Sequence, residues 1–241
     1  MTRRRWIADE SDGKTATLKG DQALHLAKVL RTEPGQIFDV VANGFLHRAE
    51  VTLVSDREVV FTLHEELETD AALPVHLLMA VFKFDHMDWG IEKATELGVA
   101  RITPVIARRT EKHLSQAAAK RVERWQRIVR EAAQQSRRSD VPIVDDPAML
   151  KAALEGVSAE MRLLLAETEQ ENSLRAALAN GAQSVALAIG PEGGWTPEEM
   201  KLFEAAGWQS VTLGPRILRV ETAAIAALSI CGVLMSGVTD L

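Results

Sequence analysis

A chain of 241 residues with 46% hydrophobic content and a net charge of −6 has the size of one or two domains and the composition of a folded, soluble protein. Its single cysteine, Cys231, excludes an intramolecular disulfide, and its six histidines lack paired metal spacing, so no metal is expected. No apolar run reaches the length of a membrane span, and none follows the basic Met1-Thr2-Arg3-Arg4-Arg5 as a signal segment requires, so a cytoplasmic protein without a membrane partner is predicted.

Asp21 to Leu30 reads as a short helix carrying His25, Lys28 and Arg31 three residues apart. A meander follows. Its runs are Gln36 to Val41, Phe45 to Val54 and Glu58 to His64, separated by an Asn43-Gly44 turn and a turn at Asp56-Arg57. Three adjoining strands predict a small barrel over residues 1–70. The polar stretch from Leu67 to Asp70, ending at Pro74, marks a boundary, and residues 74–241 form the second expected domain.

From Val75 strand and helix signals alternate, which predicts a mostly parallel sheet covered on both faces. The expected strands are Val75 to Phe82, Arg101 to Ile106, Ile143-Val144, Arg162 to Ala166, Ser184 to Ile189 and Gln209 to Leu213. Met87, Ile91, Ala94 and Leu97 form one helical face that stops at Gly98. A second helix around Lys120 to Gln135 buries Val122, Trp125, Ile128, Val129 and Ala132, and turns Arg121, Arg124 and Arg127 outward. Cys231 lies in an apolar helical stretch, where burial is its expected role.

Charge is unevenly distributed. Arg101 to Arg138 holds eleven Lys/Arg and three Asp/Glu, a local +8 that leaves −14 on the remainder of a chain whose total is −6. This segment is either a basic face for a polyanion or an arginine-rich helix facing solvent.

Ala188-Ile189-Gly190-Pro191-Glu192-Gly193-Gly194-Trp195-Thr196-Pro197-Glu198 runs from an apolar strand through a glycine loop into a helix. The helix start is a capping box, Thr196-Pro197-Glu198-Glu199, with proline at the first helical position, and Gly207 stops it. Such a loop places backbone N–H and C=O groups where small molecules dock in open α/β sheets. It matches neither phosphate-binding pattern, because no Lys-Ser/Thr follows the last glycine and the spacing differs from Gly-x-Gly-x-x-Gly. Glu192 would also repel a phosphate, so a ligand without phosphate suits the loop better. Leu213 to Ala223 forms a second strand-to-loop-to-helix passage, and together the two loops would line one pocket holding Glu192, Arg216, Arg219 and Glu221. An arginine and a glutamate at a helix start are equally readable as an ion pair with a dipole-compatible carboxylate.

Gly190 to Trp195 and Leu213 to Ala223 resemble the two C-terminal motifs of the SPOUT methyltransferases that make 3-methyluridine in bacterial 16S rRNA. Lys93-Ala94-Thr95-Glu96-Leu97-Gly98-Val99, Pro104 with Arg108-Arg109, and Glu131 to Arg138 are similar to that family's internal motifs, and His25 to Arg31 with Pro34-Gly35 to its N-terminal segment. The resemblance covers nearly the whole chain in order. Val220, Arg137 and Arg5-Trp6-Ile7 depart from the family's usual residues, and the last leaves both Arg4 and Arg5 as matches to its N-terminal arginine.

This resemblance implies a PUA-like RNA-binding β-barrel followed by an α/β domain with a deep C-terminal trefoil knot, acting as a homodimer on 16S rRNA within the small ribosomal subunit. It implies S-adenosylmethionine as cofactor, held by Glu167, Gly190, Pro191, Glu192, Gly193, Gly194, Leu213, Gly214, Ile217, Leu218 and Thr222. Arg219 is the candidate for stabilising charge on the uracil carbonyls, and Glu221 the candidate base for its N3 proton; helix capping is the alternative role for Glu221. Arg4, His25, Lys28 and Arg31, with Lys83, Arg109 and Arg138, are the candidate RNA contacts. A looped or strained site is the expected substrate, because the uracil edge must leave its stack. Ribose 2′-O methylation of another RNA, and a non-catalytic RNA-binding assembly factor, are the competing readings.

Overall fold

The computed structural model describes residues 5–69, 71–179 and 181–235. The chain divides into two compact units, Met1–Ala71 with Ala133–Val141, and Ala72–Ala132 with Pro142–Leu241.

The first unit contains strands β1 (Trp6–Ile7), β2 (Glu10–Ser11) and β3 (Thr15–Lys19), then helix α1 (Gly20–Leu24). Strands β4 (Ile37–Ala42), β5 (Phe45–Val54) and β6 (Glu58–Leu67) follow. They form one six-stranded sheet in the order β1-β4-β5-β6-β3-β2, antiparallel except for the β1–β4 pair. The expected Asn43-Gly44 hairpin turn is present, with φ of 52° and 86°, the left-handed pair that matches the twist of the flanking strands. Register shifts in the β5–β6 pair bend the sheet, and Trp6, Leu18, Leu26, Val51, Val59 and Phe61 fill its core.

The helix expected over Asp21 to Leu30 is present with a different second half. After α1 the chain widens into a π-helical segment, His25–Val29, where Leu30 N–H donates to the His25 carbonyl at 3.0 Å. Arg31 then turns back with φ of 51°. Residues three apart do not stack along one row of such a segment, so His25, Lys28 and Arg31 form no common helical face.

In the second unit the chain runs β7 (Leu73–Ala80), α2 (Phe84–Glu96), β8 (Val99–Ile106), α3 (Lys112–Ala117) and α4 (Val122–Gln135), whose last three residues are assigned to the first unit. Next come β9 (Ile143–Val144), β10 (Ala148–Met149), α5 (Leu150–Glu155), β11 (Met161–Leu165) and α6 (Leu174–Ala177). The last elements are β12 (Val185–Ile189), α7 (Pro197–Ala205), β13 (Gln209–Val211) and α8 (Val220–Met235). All pairings in this sheet are parallel, in the order β10-β8-β7-β12-β11-β13, with β9 also on β8. Alternation assigns residues to its faces: Leu77 and Met79 pack with α2 and α8, whereas Leu78 packs with Leu154, Phe203 and Trp208. Both faces are therefore covered, and β12 at the centre is buried throughout. Cys231 is buried in α8 as expected.

The second unit is thus an α/β domain and the first a β-sheet domain, as expected. Strand β11 lies between β12 and β13, so the loops leaving the carboxyl ends of all three emerge side by side. Among the described residues no helix is long and apolar enough to cross a membrane.

One polar cluster interrupts the second unit. His76 Nε2 lies 2.7 Å from Thr103 Oγ1, the Thr103 hydroxyl donates to Asp145, and Arg101 donates to both Asp145 carboxylate oxygens at 2.8 and 2.9 Å. Because the threonine hydrogen goes to Asp145, His76 donates Nε2–H. Burial first, and the Arg101 charge second, push the imidazole from 6.5 down to about 4. The folded state then binds fewer protons than the unfolded state between those values, so stability present at neutral pH is lost as the pH falls through that window. Between pH 7 and pH 5 the protein should lose about 1–2 kcal/mol more stability in urea melts than a His76→Asn variant. Parallel pH dependence of the two proteins would contradict this.

Candidate active site

The glycine loop is anchored by one buried carboxylate. Thr196 caps α7 by accepting the Glu199 N–H at 3.3 Å, and Glu199 Oε2 accepts the Thr196 N–H at 2.8 Å, which completes the predicted capping box. Glu199 Oε1 meanwhile accepts the Arg108 N–H at 2.7 Å, fastening the segment after β8 to the start of α7. This link brings Arg109 onto the loop. Its guanidinium donates to the Gly193 carbonyl, and its Cδ lies 3.2 Å from where a Cβ at Gly193 would stand.

Two other glycines are required for different reasons. A Cβ at Gly190 would sit 3.0 Å from the indole nitrogen of Trp195, so a side chain there would push the ring off the strand end by a few tenths of an ångström. Gly194 turns with φ of 69° while its N–H donates to the Pro191 carbonyl at 2.8 Å. The indole N–H of Trp195 is buried without a hydrogen-bond partner, and the ring packs edge-on against Phe203 at 4.9 Å between centroids.

The loops after β11 and β13 are laced together. Ala166 N–H donates to Val211 O at 3.1 Å, Thr212 N–H to Asn172 O at 2.9 Å and Leu174 N–H to Thr212 O at 3.0 Å. Gly214 N–H donates to Thr212 Oγ1 at 3.1 Å.

These three loops line an open cavity of about 830 Å³, within the size range of small-molecule sites. Glu167, Gly190, Pro191, Glu192, Gly193, Gly194, Leu213, Gly214, Ile217 and Leu218, all expected at the cofactor, line it. Arg109, Trp195, Met200 and Arg216 complete the wall. Ile217 is 81% exposed, an apolar side chain held over an open site.

A second cavity of about 570 Å³ lies beside the first, lined by Asp85, His86, Trp89, Arg219, Glu221 and Thr222. Arg219 belongs to both cavities. Thr222, expected with the cofactor loops, borders only the second. Glu221, in the first turn of α8, is 6% exposed and lies with Oε1 3.0 Å from His86 Nδ1. Gly90 on α2 faces the same residue, and a Cβ there would stand at ordinary contact distance, 3.5 Å, from that of Glu221.

The remaining candidates divide by unit. In the first, His25 packs against Trp6 at 5.9 Å, Lys28 pairs with Asp56 at 2.7 Å, and Arg31 is exposed. Arg138 pairs with Asp140, its side chain 8% exposed, so its charge is already engaged. Arg4 lies outside the described residues; Arg5 donates its guanidinium to the Arg137 carbonyl. In the second unit Lys83 is exposed before α2.

The +8 segment is not an open basic face along its length. Arg101 serves Asp145, Arg121 lies over the Phe84 ring at 4.4 Å, and Arg124 pairs with Asp88 at 2.6 Å; Arg127 is exposed. Sequence reasoning missed His86 and Trp89. Their only sequence signal is a position three residues apart on α2, flanking the buried Met87 and Gly90.

The chain matches the family model of an RNA methyltransferase domain over residues 69–232 and that of an RNA methyltransferase PUA domain over residues 18–63. It is 37% identical over 222 residues to Ribosomal RNA small subunit methyltransferase E of Synechocystis sp., covering 89% of this chain and 72% of that one. Identity to the protein of the same name from Bacillus subtilis is 32% over 230 residues, 90% of each chain. The crystal structure of a Ribosomal RNA small subunit methyltransferase E from Neisseria gonorrhoeae bound to S-adenosyl methionine superposes with a TM-score of 0.82 at 32% identity, over 97% of this chain and 98% of that one.

Glu199→Ala removes the partner of two backbone N–H groups and half of the capping box. It should destabilise the protein by roughly 2–4 kcal/mol in urea unfolding, whereas Glu204→Ala, on the exposed side of the same helix, should leave the midpoint in place. Equal midpoints for the two variants would mean that the carboxylate carries no such role.

Proposed function

The chain belongs to the RNA methyltransferase family, and on that premise we propose that it transfers a methyl group from S-adenosylmethionine to N3 of a uridine in 16S rRNA, giving 3-methyluridine. The observation that carries this reading is Arg219, one guanidinium shared by a loop-lined cavity and a second cavity holding a buried carboxylate. Small-subunit rRNA as the substrate rests on the relatives of that name, and a homodimer remains part of the proposal.

The first cavity fits the cofactor. Its walls combine backbone groups of three loops with Leu213, Ile217 and Leu218, surfaces suited to an adenosine, while Glu167 and Glu192 offer carboxylates to a cationic ligand. S-adenosylmethionine supplies an electrophilic methyl group when bound there. Glycine at 190 keeps Trp195 against the strand end, and Arg109 braces the Gly193 carbonyl, so the loop is formed before the ligand arrives.

Uracil presents N3–H between two carbonyls, and loss of that proton spreads negative charge onto both oxygens. Arg219 would donate to the charge as it develops. Glu221 accepts the N3 proton: the N–H bond breaks, its electrons remain on the ring nitrogen, and the carboxylate becomes a carboxylic acid. Ribose 2′-O transfer needs no planar acceptor–donor–acceptor edge, the pattern that an arginine and a carboxylate side by side complement. His25, Lys28, Arg31, Lys83 and Arg109, with Arg4, are the proposed RNA contacts; Arg138 would first have to leave Asp140.

Small subunits from a strain lacking the gene provide the test. Incubation with the protein and S-adenosylmethionine, followed by nucleoside mass spectrometry, should restore 3-methyluridine; a 2′-O-methylated nucleoside appearing in its place would overturn the assignment. Glu221→Gln should slow single-turnover transfer by about 10²–10⁴-fold and Arg219→Ala by about 10²–10³-fold.

A further inference from the structure

Glu221 and His86 form a pair that helix capping does not require. The carboxylate sits in the first turn of α8, where the helix dipole alone would favour it. It nevertheless has a partner on a different helix, with Oε1 3.0 Å from Nδ1 of His86 in the first turn of α2. The two helices pack closely there, where a Cβ at residue 90 would stand at contact distance, 3.5 Å, from that of Glu221. The pair is asymmetric: the carboxylate is buried, while the imidazole is 39% exposed at the second cavity, which Arg219 also lines.

We propose that His86 is the positioning residue for Glu221, an inference that rests on Glu221 being the base for the N3 proton. An ionised carboxylate only accepts hydrogen bonds, so the ring atom facing it must be Nδ1–H, which leaves Nε2 as the unprotonated nitrogen. Oε1 is thereby occupied and Oε2 is left for the substrate. Without this tether the carboxylate is free to rotate about its side chain, and a base displaced from the N3–H direction forfeits rate although it is still present.

The groups facing His86 are Glu221 from α8, Asp85 on its own helix with Oδ2 3.9 Å from Nε2, and Arg219 across the cavity. Asn is the informative replacement, because its amide N–H can serve Oε1 and carries no titrating group.

Single-turnover methyl transfer to small subunits lacking the mark, measured from pH 5.5 to 8.5 at saturating S-adenosylmethionine, tests the inference. His86→Ala should lower the rate about 10- to 100-fold with the cofactor dissociation constant unchanged. His86→Asn should recover most of that loss at pH 8. A wild-type rate and pH profile in His86→Ala, while Glu221→Gln is inactive, would overturn the positioning role alone. Full activity in Glu221→Gln would overturn the base assignment and this inference with it. A readout independent of turnover is long-range ¹H–¹⁵N NMR of the histidine-labelled protein: Nδ1 of His86 should carry the proton in the wild type and lose that preference in Glu221→Ala. An Nε2–H tautomer in the wild type would sink the proposal even if a variant fails to fold.

Discussion

The buried carboxylate of Glu199 is the constraint on which the loop-lined cavity depends. Taking a carboxylate out of water costs several kcal/mol unless its oxygens are satisfied, and both oxygens of Glu199 accept backbone N–H groups from different segments. One oxygen closes the start of α7 and the other holds the segment after β8. Glycine loop and Arg109 therefore arrive together, and the close approach of Arg109 to Gly193 follows from that link. Three loops that parallel pairing alone would only bring near one another become a walled site.

Arg219 stands where this wall ends. On one side are the loop residues expected to hold a cofactor, and on the other lie Glu221, His86 and the 46% exposed Trp89. In the proposed reaction the methyl donor and the base to be methylated occupy neighbouring hollows that meet at one guanidinium. Such a division suits an in-line transfer, because positioning two reactants accounts for much of what a site of this kind must do. It also explains why Glu221 is buried yet reachable: α8 begins where the second loop ends, so its first turn presents the carboxylate to the cavity.

Much of this was legible in the chain. The Asn43-Gly44 hairpin, the Thr196–Glu199 capping box and the uniformly apolar β12 are local patterns, set by residues within a few positions of one another, and each occurs as read. The Ala16 and Leu18 alternation of β3 was also available, but β1 and β2 have two residues each and are too short to show any period. The π-helical turn at His25–Val29 escaped because a 3.6-residue period is assumed wherever a helix is expected. Short helices such as α5 and α6 carry too few turns for a face to emerge.

The sequence by itself determined the local form of the glycine loop: glycines at 190, 193 and 194 and a firm helix start at Pro197. It also carried, through resemblance, a knotted fold that rules of chain topology would have steered away from. Only the tertiary structure decided which of the named residues share a cavity. Thr222 went to the second cavity, Arg138 was engaged by Asp140, and much of the arginine-rich segment was taken up by Asp88, Asp145 and the Phe84 ring. The reason is range. Capping and turn geometry act over three or four residues, whereas the pairing of His86 with Glu221 spans 135 positions and exists only because α2 and α8 pack against each other.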